Sequence, residues 1–456
     1  MILNKKFRLI LSDLKRNTQI FFKFGKYHYK ESNFLKYTKR IEANFENKNL
    51  DFDLLYQFSL FCHKEHLNSK AISFFLSIKN KHNAVEICNY FLIQQYGRSL
   101  YEGNNYETKA VIISLLKESM HNSFGIDFFE RIAGKISVFP TEVKSKFVVL
   151  ELGLENFGFI QHDIESVEKR YLTKIGITLL KTNEIPFYQD IREIFPLLQE
   201  ITPGILGILK SKSGLISCMI MEFVEGEPSD YTMLGKIIKC HKDYIQACSF
   251  TPTVYNKLKR PFELGYAHTY LPRAFNRVHK EQYFKQIIEW NFNTLKIHSY
   301  RPELKFLLGK YFERMNDCDF FKYVVPERHY SLCHGDFHLN NIIYRPNLDQ
   351  FGIIDWSHCT FGPTLMDFAI FFRSAHYSYQ TIHEFFIEDI ELSRDYDDVD
   401  TVLFFFGAIT ITLMMQEKTF MSEDPDKFIR PAVNKSLELL DKIEANKVNF
   451  IDQTLY

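Results

Sequence analysis

From Asp51 to His121 the apolar positions recur with a helical period, and Leu54, Leu55, Phe58, Phe61 and Cys62 fall on one helical face. A succession of short helices is expected there. After Gly134 the pattern changes. The runs Lys146–Leu152, Phe157–Ile160 and Val167–Leu172 are short and rich in β-branched and aromatic residues, which predicts strands. A helical stretch, Pro186–Leu198, precedes one more buried strand, Leu215–Val224, which ends in the breakers Glu225-Gly-Glu-Pro228. Helical patterns then dominate to the C-terminus, interrupted only between His329 and Asp367. The most apolar segment, Thr401–Met415, contains Thr410 and Thr412 and is shorter than the ~18–20 residues needed to span a bilayer, so it reads as a buried helix. A helical N-terminal region, a small β-rich part and a large helical part make an α+β chain.

At 456 residues the chain has room for two or three domains. Lys+Arg and Asp+Glu both number 56, so the global charge gives no case for nucleic acid as a main partner. The average conceals a basic N-terminus. Residues 1–40 hold eleven Lys/Arg against Asp13 and Glu31, a net of 11 − 2 = +9. With Phe7, Ile10, Leu11, Leu14, Phe21 and Phe22 interleaved, this arm could lie against an anionic membrane surface or remain a solvated basic tail. The eight cysteines include no Cys-x-x-Cys pair, so neither a zinc site nor a disulfide framework is indicated. The stretch Leu9-Ile-Leu11 is too short for a signal-peptide core. These features favour a cytoplasmic protein, with membrane association through the arm left open.

The informative stretch is His334-Gly-Asp-Phe-His-Leu-Asn-Asn341-Ile-Ile-Tyr, followed by Asp355 in Gly352-Ile-Ile-Asp-Trp. Transfer of a γ-phosphoryl group asks a protein for positioning and charge stabilisation more than for covalent chemistry. Asn341 offers an amide oxygen and Asp355 a carboxylate, hard ligands suited to magnesium. Asp336, five residues before Asn341, can orient an acceptor hydroxyl and take its proton. The apolar runs on either side of Pro346-Asn-Leu-Asp349 predict two short strands forming a hairpin, which would bring Asn341 and Asp355 to one end.

This stretch resembles the aminoglycoside phosphotransferase and choline kinase superfamily, marked by His-Gly-Asp-x-x-x-x-Asn followed by Ile-Asp-Trp/Phe. The likeness continues in Phe361-Gly-Pro-Thr-Leu-Met-Asp367. It implies a two-lobed protein-kinase-like fold with a small β-rich N-lobe and a large helical C-lobe, using ATP and Mg2+. It also implies that His334 and Asp367 hold the catalytic loop, with Asp367 accepting hydrogen bonds from the loop backbone. His338 stands where protein kinases carry a lysine that meets the γ-phosphate; it could neutralise developing charge or be a loop histidine with a satisfied backbone contact.

A kinase-like small lobe also needs a cation on its third strand and a glutamate on the next helix. Glu184, in Glu184-Ile-Pro-Phe-Tyr188, resembles the glutamate of relatives; Lys169 is the preferred cation and Lys174 its rival. Adenine would bond to the backbone near Met221, Glu222 and Phe223. No Gly-x-Gly-x-x-Gly appears between Arg131 and Lys169.

The resulting expectation is a basic arm over 1–45, a helical region over 46–130, an N-lobe over 131–225 and a C-lobe over 226–456. The pair Ala71 and Phe75 gives the second segment a faint likeness to a tetratricopeptide hairpin, without a second copy. Members of the superfamily phosphorylate small hydroxylated molecules. The acceptor is therefore expected to be a sugar, amino alcohol, aminoglycoside-like compound or glycan, received by residues 229–325, where Tyr244, Tyr255, Tyr266, Tyr270 and Trp290 lie. Gly335 occupies a place where choline kinases commonly have Asn, which lowers choline as a candidate. Two other readings are a kinase-like regulatory module that holds nucleotide without turnover, and a protein kinase.

Overall fold

The computed structural model describes residues 31–47, 51–65, 67–82, 84–101, 106–148, 156–178, 183–249, 280–297, 300–318, 320–374, 377–387, 396–417 and 426–453. Most of the basic arm, Tyr255, Tyr266 and Tyr270, and residues 149–155 of the 131–169 stretch expected to hold a phosphate-covering loop lie outside them. The chain divides into two compact units. One holds the described residues up to 178 together with 203–223; the other holds 183–202 and those from 224 onward. The division thus places the 183–202 stretch with the C-terminal unit, whereas the sequence reading put it in the N-lobe.

The first unit begins with six helices, α1 (Glu31–Glu46), α2 (Phe52–Lys64), α3 (Asn68–His82), α4 (Val85–Tyr101), α5 (Tyr106–Phe124) and α6 (Phe128–Ile136). Asp51 starts α2 by accepting the Leu54 amide at 3.0 Å, which satisfies one of the amides orphaned at a helix start. The predicted apolar face, Leu54, Leu55, Phe58, Phe61 and Cys62, is buried. Ala71 and Phe75 are also buried, and Phe75 stacks on Phe91 with ring centroids 5.2 Å apart.

Five antiparallel strands follow: β1 (Val143–Val148), β2 (Asn156–Ile164), β3 (Lys169–Ile177), β4 (Ile205–Lys210) and β5 (Ile216–Glu222), in the order β1-β2-β3-β5-β4. Gly158 of β2 leaves room for Leu116 of α5: a Cβ there would lie 2.5 Å from the leucine Cδ2. Gly158 pairs with Ile175, and paired residues share a face. The face bearing Ile175 and Thr173 is therefore the one that the helices cover. Strand alternation puts Leu172 and Lys174 on the opposite face, beside their partners Met221 and Met219.

The second unit is mostly helical. Its described elements include α7 (Glu184–Pro186, continued as a π turn over Phe187–Ile191), α8 (Pro196–Ile201), α9 (Leu234–Ala247), α10 (Lys280–Ile297), α11 (Pro302–Asp317), α12 (Met366–Ser374), α13 (Asp398–Glu417) and α14 (Asp426–Gln453). Two small sheets carry the motif. One pairs β7 (Tyr330–Cys333) with β10 (Thr360–Pro363), and the other is ordered β6 (Glu227–Pro228), β8 (Ile342–Arg345), β9 (Gln350–Ile353). The helix α13 is buried from Asp400 through Leu413, as a helix apolar on all sides must be in a globular core. Among the described residues no helix is long and apolar enough to cross a membrane.

A polar cluster ties the approach to β7 to the start of α13. His329 Nδ1 accepts the Val325 amide at 2.8 Å, so its Nε2 carries the proton that faces Asp397 Oδ2 at 3.1 Å. Arg328 Nη2 reaches the same oxygen at 2.9 Å. Donor atoms of His329, Asp397 and Asp400 lie within 4.8 Å of one another, but a cation would need the Nε2 lone pair that the proton occupies. Asp400 Oδ2 accepts the Asp397 amide at 3.2 Å, while Oδ1 is buried with no partner.

Burial pushes the Asp400 carboxyl up to about 7; Asp397 adds to the shift, while His329 opposes it. An acid raised in this way takes up a proton on folding. Its contribution to stability is full below the ordinary carboxylate range, declines as pH rises toward 7, and is lost above. Asp400→Asn should therefore melt like wild type near pH 4 and higher at pH 8, by on the order of 2–4 kcal/mol. Thermal denaturation at the two pH values reads this difference, and equal melting at pH 8 would refute it.

Candidate active site

The turn between β7 and β8 carries His334, Gly335 and Asp336, and one buried carboxylate organises it. Asp367, at the start of α12, accepts the His334 amide at 2.6 Å through Oδ2 and the Gly335 amide at 2.9 Å through Oδ1. These are the loop-holding bonds that the resemblance implied. A third donor was not foreseen. His241 of α9, fully buried, places Nε2 3.4 Å from Asp367 Oδ2, with its ring packed among Tyr244, Phe337 and Phe368. Burial lowers its pKa, and Asp367 opposes that shift. A lone histidine in an amphipathic helix gives no sign in sequence of a partner 126 residues away.

His334 is held at both ring nitrogens. Nε2 donates to the Ile354 carbonyl at 2.8 Å, and Nδ1 accepts the Asp336 amide at 3.2 Å. This pattern requires a neutral ring, and burial does lower its pKa. The imidazole thus links the two ends of the motif, the Asp336 turn and the residue before Asp355.

The hairpin has the anticipated form. Ile342 pairs with Ile353, and the Ile354 amide donates to the Asn341 carbonyl at 3.0 Å, which sets Asn341 beside the residue that precedes Asp355. Asn341 Nδ2 donates to the Asp336 carbonyl at 2.9 Å. The nitrogen end of the amide is thereby committed to the loop, and the oxygen is the atom left to meet a cation. Asp355 adopts a left-handed backbone (φ 63°, ψ 64°), a conformation that Asp and Asn tolerate better than most residues. An amide oxygen and a carboxylate fit a hard divalent ion.

His338 Nε2 lies 3.2 Å from Asn341 Nδ2 and 3.5 Å from Asp336 Oδ2. A neutral ring can accept from the amide, whereas a protonated ring turns a donor to the carboxylate, so the two contacts alternate. Burial would lower the His338 pKa, but the hydrogen bond to Asp336 and the charges of Asp336 and Asp355 outweigh it and raise the value.

Helix α7 docks on the turn that carries Asp355. The Asn183 amide donates to the Ser357 carbonyl at 2.9 Å and its side chain to the Cys359 carbonyl at 2.7 Å. Phe187 stacks on Trp356, 4.1 Å apart and within 4° of parallel. Glu184 is buried at the first position of this helix.

The remaining expected residues need correction. Lys169 is exposed at the first position of β3, and by alternation it belongs to the helix-covered face. Lys174 is buried in mid-strand on the other face. The Glu222 and Phe223 amides already donate to the carbonyls of Gly204 at 2.8 Å and Arg170 at 3.2 Å, and the Glu222 side chain accepts the Gly204 amide at 3.2 Å. Those two amides are therefore not open to adenine, and Met221 is buried within β5. Tyr244, counted among the aromatics around an acceptor, is fully buried and donates its hydroxyl to the Leu332 carbonyl, so it supports β7 instead.

Residues 268–394 match the phosphotransferase enzyme family, APH. The match contains the whole stretch from His334 to Asp367 and spans under a third of the chain. Among solved structures the chain is similar to a Plasmodium vivax ethanolamine kinase, at 17% identity and a TM-score of 0.40, over 75% of this chain and 95% of that one. It is also similar to a thermostable mutant of aminoglycoside phosphotransferase APH(4)-Ia, at 13% and 0.39, over 69% and 98%. A third is choline kinase LicA from Streptococcus pneumoniae, at 15% and 0.34, over 69% and 97%. No curated protein matches the chain.

Proposed function

We propose that the protein is an ATP-dependent phosphotransferase that moves the γ-phosphoryl group to a hydroxyl of a small molecule or glycan. The observation that carries this reading is the hydrogen-bonded unit of Asp336, Asn341 and the Ile354–Asp355 turn, which gathers one base and two hard ligands. Asp336 orients the acceptor hydroxyl and takes its proton. As that O–H bond breaks, the oxygen forms its bond to phosphorus and the terminal phosphoanhydride bond breaks, releasing ADP. Asn341 Oδ1 and the Asp355 carboxylate would hold Mg2+, which when bound supplies positive charge to the phosphate oxygens. His338, kept cationic more readily than an ordinary histidine, offers a further positive charge beside Asp336. Lys174 replaces Lys169 as the cation for the nucleotide phosphates, because it is the buried lysine in mid-strand on the sheet face opposite the one that α5 covers.

The test is transfer of labelled γ-phosphate from ATP to a panel of amino alcohols, sugars, aminoglycosides and cell-envelope glycans, with wild type and Asp336→Asn. Wild type should label an acceptor, and Asp336→Asn should lose about 10²–10⁴-fold of that rate, the usual share of a positioned general base. Lys174→Ala should weaken ATP use, while Lys169→Ala should not. Nucleotide binding without labelling of any acceptor would favour a regulatory module, and loss on Lys169→Ala alone would restore the other lysine.

A further inference from the structure

Tyr188 is 2% exposed, and its hydroxyl is buried without a hydrogen-bond partner. A phenylalanine would fill the same space without a stranded polar atom, so the hydroxyl is a cost to the folded protein unless it serves something else.

Its surroundings indicate what that is. The π turn over Phe187–Ile191 buries two consecutive aromatic side chains, and their rings meet edge to face, 5.0 Å apart and at 81°. Phe187 stacks on Trp356, the residue after Asp355, and Asn183 is hydrogen-bonded to Ser357 and Cys359. Tyr188 thus follows directly on the residues, Asn183 and Phe187, that fix this segment against the turn that carries Asp355. Burial first, and then the charges of Glu184 and Asp355, raise its pKa, with Arg192 opposing; a phenol is in any case an O–H donor at neutral pH.

We infer that Tyr188 is a positioning residue for Asp355: its hydroxyl donates, through one buried water, to the Asp355 carboxylate and fixes the rotation of that carboxylate toward its cation. The inference rests on the proposed metal role of Asp355. A buried polar atom within a closed site is commonly satisfied by an ordered water, and partners that orient a metal-holding carboxylate typically change metal affinity 10–100-fold.

The experiment is a Mn2+ titration followed by electron paramagnetic resonance, in the presence of ADP, on full-length wild type, Tyr188→Phe and Asp355→Asn. Wild type should bind Mn2+, Asp355→Asn should lose that binding, and Tyr188→Phe should bind about tenfold more weakly. The Mg2+ concentration that half-saturates turnover should rise by the same factor. Without metal or nucleotide, Tyr188→Phe should melt no lower than wild type, since only a stranded hydroxyl is removed. A residue that served packing alone would show the reverse, a lower melting temperature with an unchanged Mn2+ constant. If Asp355→Asn loses Mn2+ while Tyr188→Phe titrates like wild type, the role of Tyr188 is refuted and the metal reading stands. If Asp355→Asn still binds like wild type, both fall together.

Discussion

Asp355→Asn should leave the protein folded and reduce phosphoryl turnover about 10³-fold or more. Asp355 sits in the left-handed region, φ 63° and ψ 64°, where asparagine is at home and alanine would add about 1 kcal/mol of backbone strain. Asparagine is therefore the sharper probe, because it removes a charge and preserves the turn. A metal's charge stabilisation is worth several kcal/mol to a transferring phosphoryl group, and about 4 kcal/mol corresponds to a thousandfold. A second readout needs no turnover. The Asp355 charge helps to raise the His338 pKa, so the substitution should lower that value, visible as a shift in the imidazole NMR titration. Unchanged turnover would remove Asp355 from the metal site. An unmoved His338 titration would show that the charge of Asp336 suffices.

The hairpin of β8 and β9 was legible because its information is local. Two apolar runs and the turn Pro346-Asn-Leu-Asp349 are enough to place Asn341 and Asp355 together, and the observed turn keeps Asp349 in the left-handed conformation at φ 46°. The loop-holding role of Asp367 was legible only through resemblance, since the carboxylate lies 33 residues from the amide it accepts. His241 was not legible at all. Its partner is remote, and its ring in the core looks like that of any helix histidine.

The choice between the two lysines had no local signal to guide it. The run Val167-Glu-Lys-Arg-Tyr-Leu reads as strand throughout, but Glu165–Val167 is a 3-10 turn and Glu168 is left-handed at φ 50°, so the strand begins only at Lys169. The two lysines are five positions apart, an odd offset, and they must lie on opposite faces. Which face the helices cover is decided by a tertiary contact, Leu116 over Gly158, and no local pattern reports it. The expected helix over 186–198 likewise begins earlier, at Glu184, widens into a π turn over Phe187–Ile191 and breaks before Pro196; the aromatic stack of Phe187 on Trp356 accompanies that geometry.

Gly335 is the position at which the smallest substitution should do the most damage. Its φ is +82°, and a Cβ would lie 2.3 Å from the His358 carbonyl oxygen and 3.0 Å from the His358 Cβ. Gly335→Ala meets both obstacles at once, a backbone conformation costing about 1–2 kcal/mol for an L-residue and a collision with main chain that cannot swing aside. Gly335→Asn separates them, because asparagine accepts positive φ but still carries the Cβ. If the collision dominates, both variants should lose about 3 kcal/mol or more and most of their activity, since relief requires the loop to withdraw from the Asp367 carboxylate that accepts the His334 and Gly335 amides. If backbone strain dominates, asparagine should recover most of the stability that alanine loses. Chemical denaturation of the three proteins decides between these outcomes. The collision is expected to win, because the obstructing atom belongs to the backbone of the 356–358 turn, which Asn183 holds by a hydrogen bond to the Ser357 carbonyl and Phe187 by stacking on Trp356.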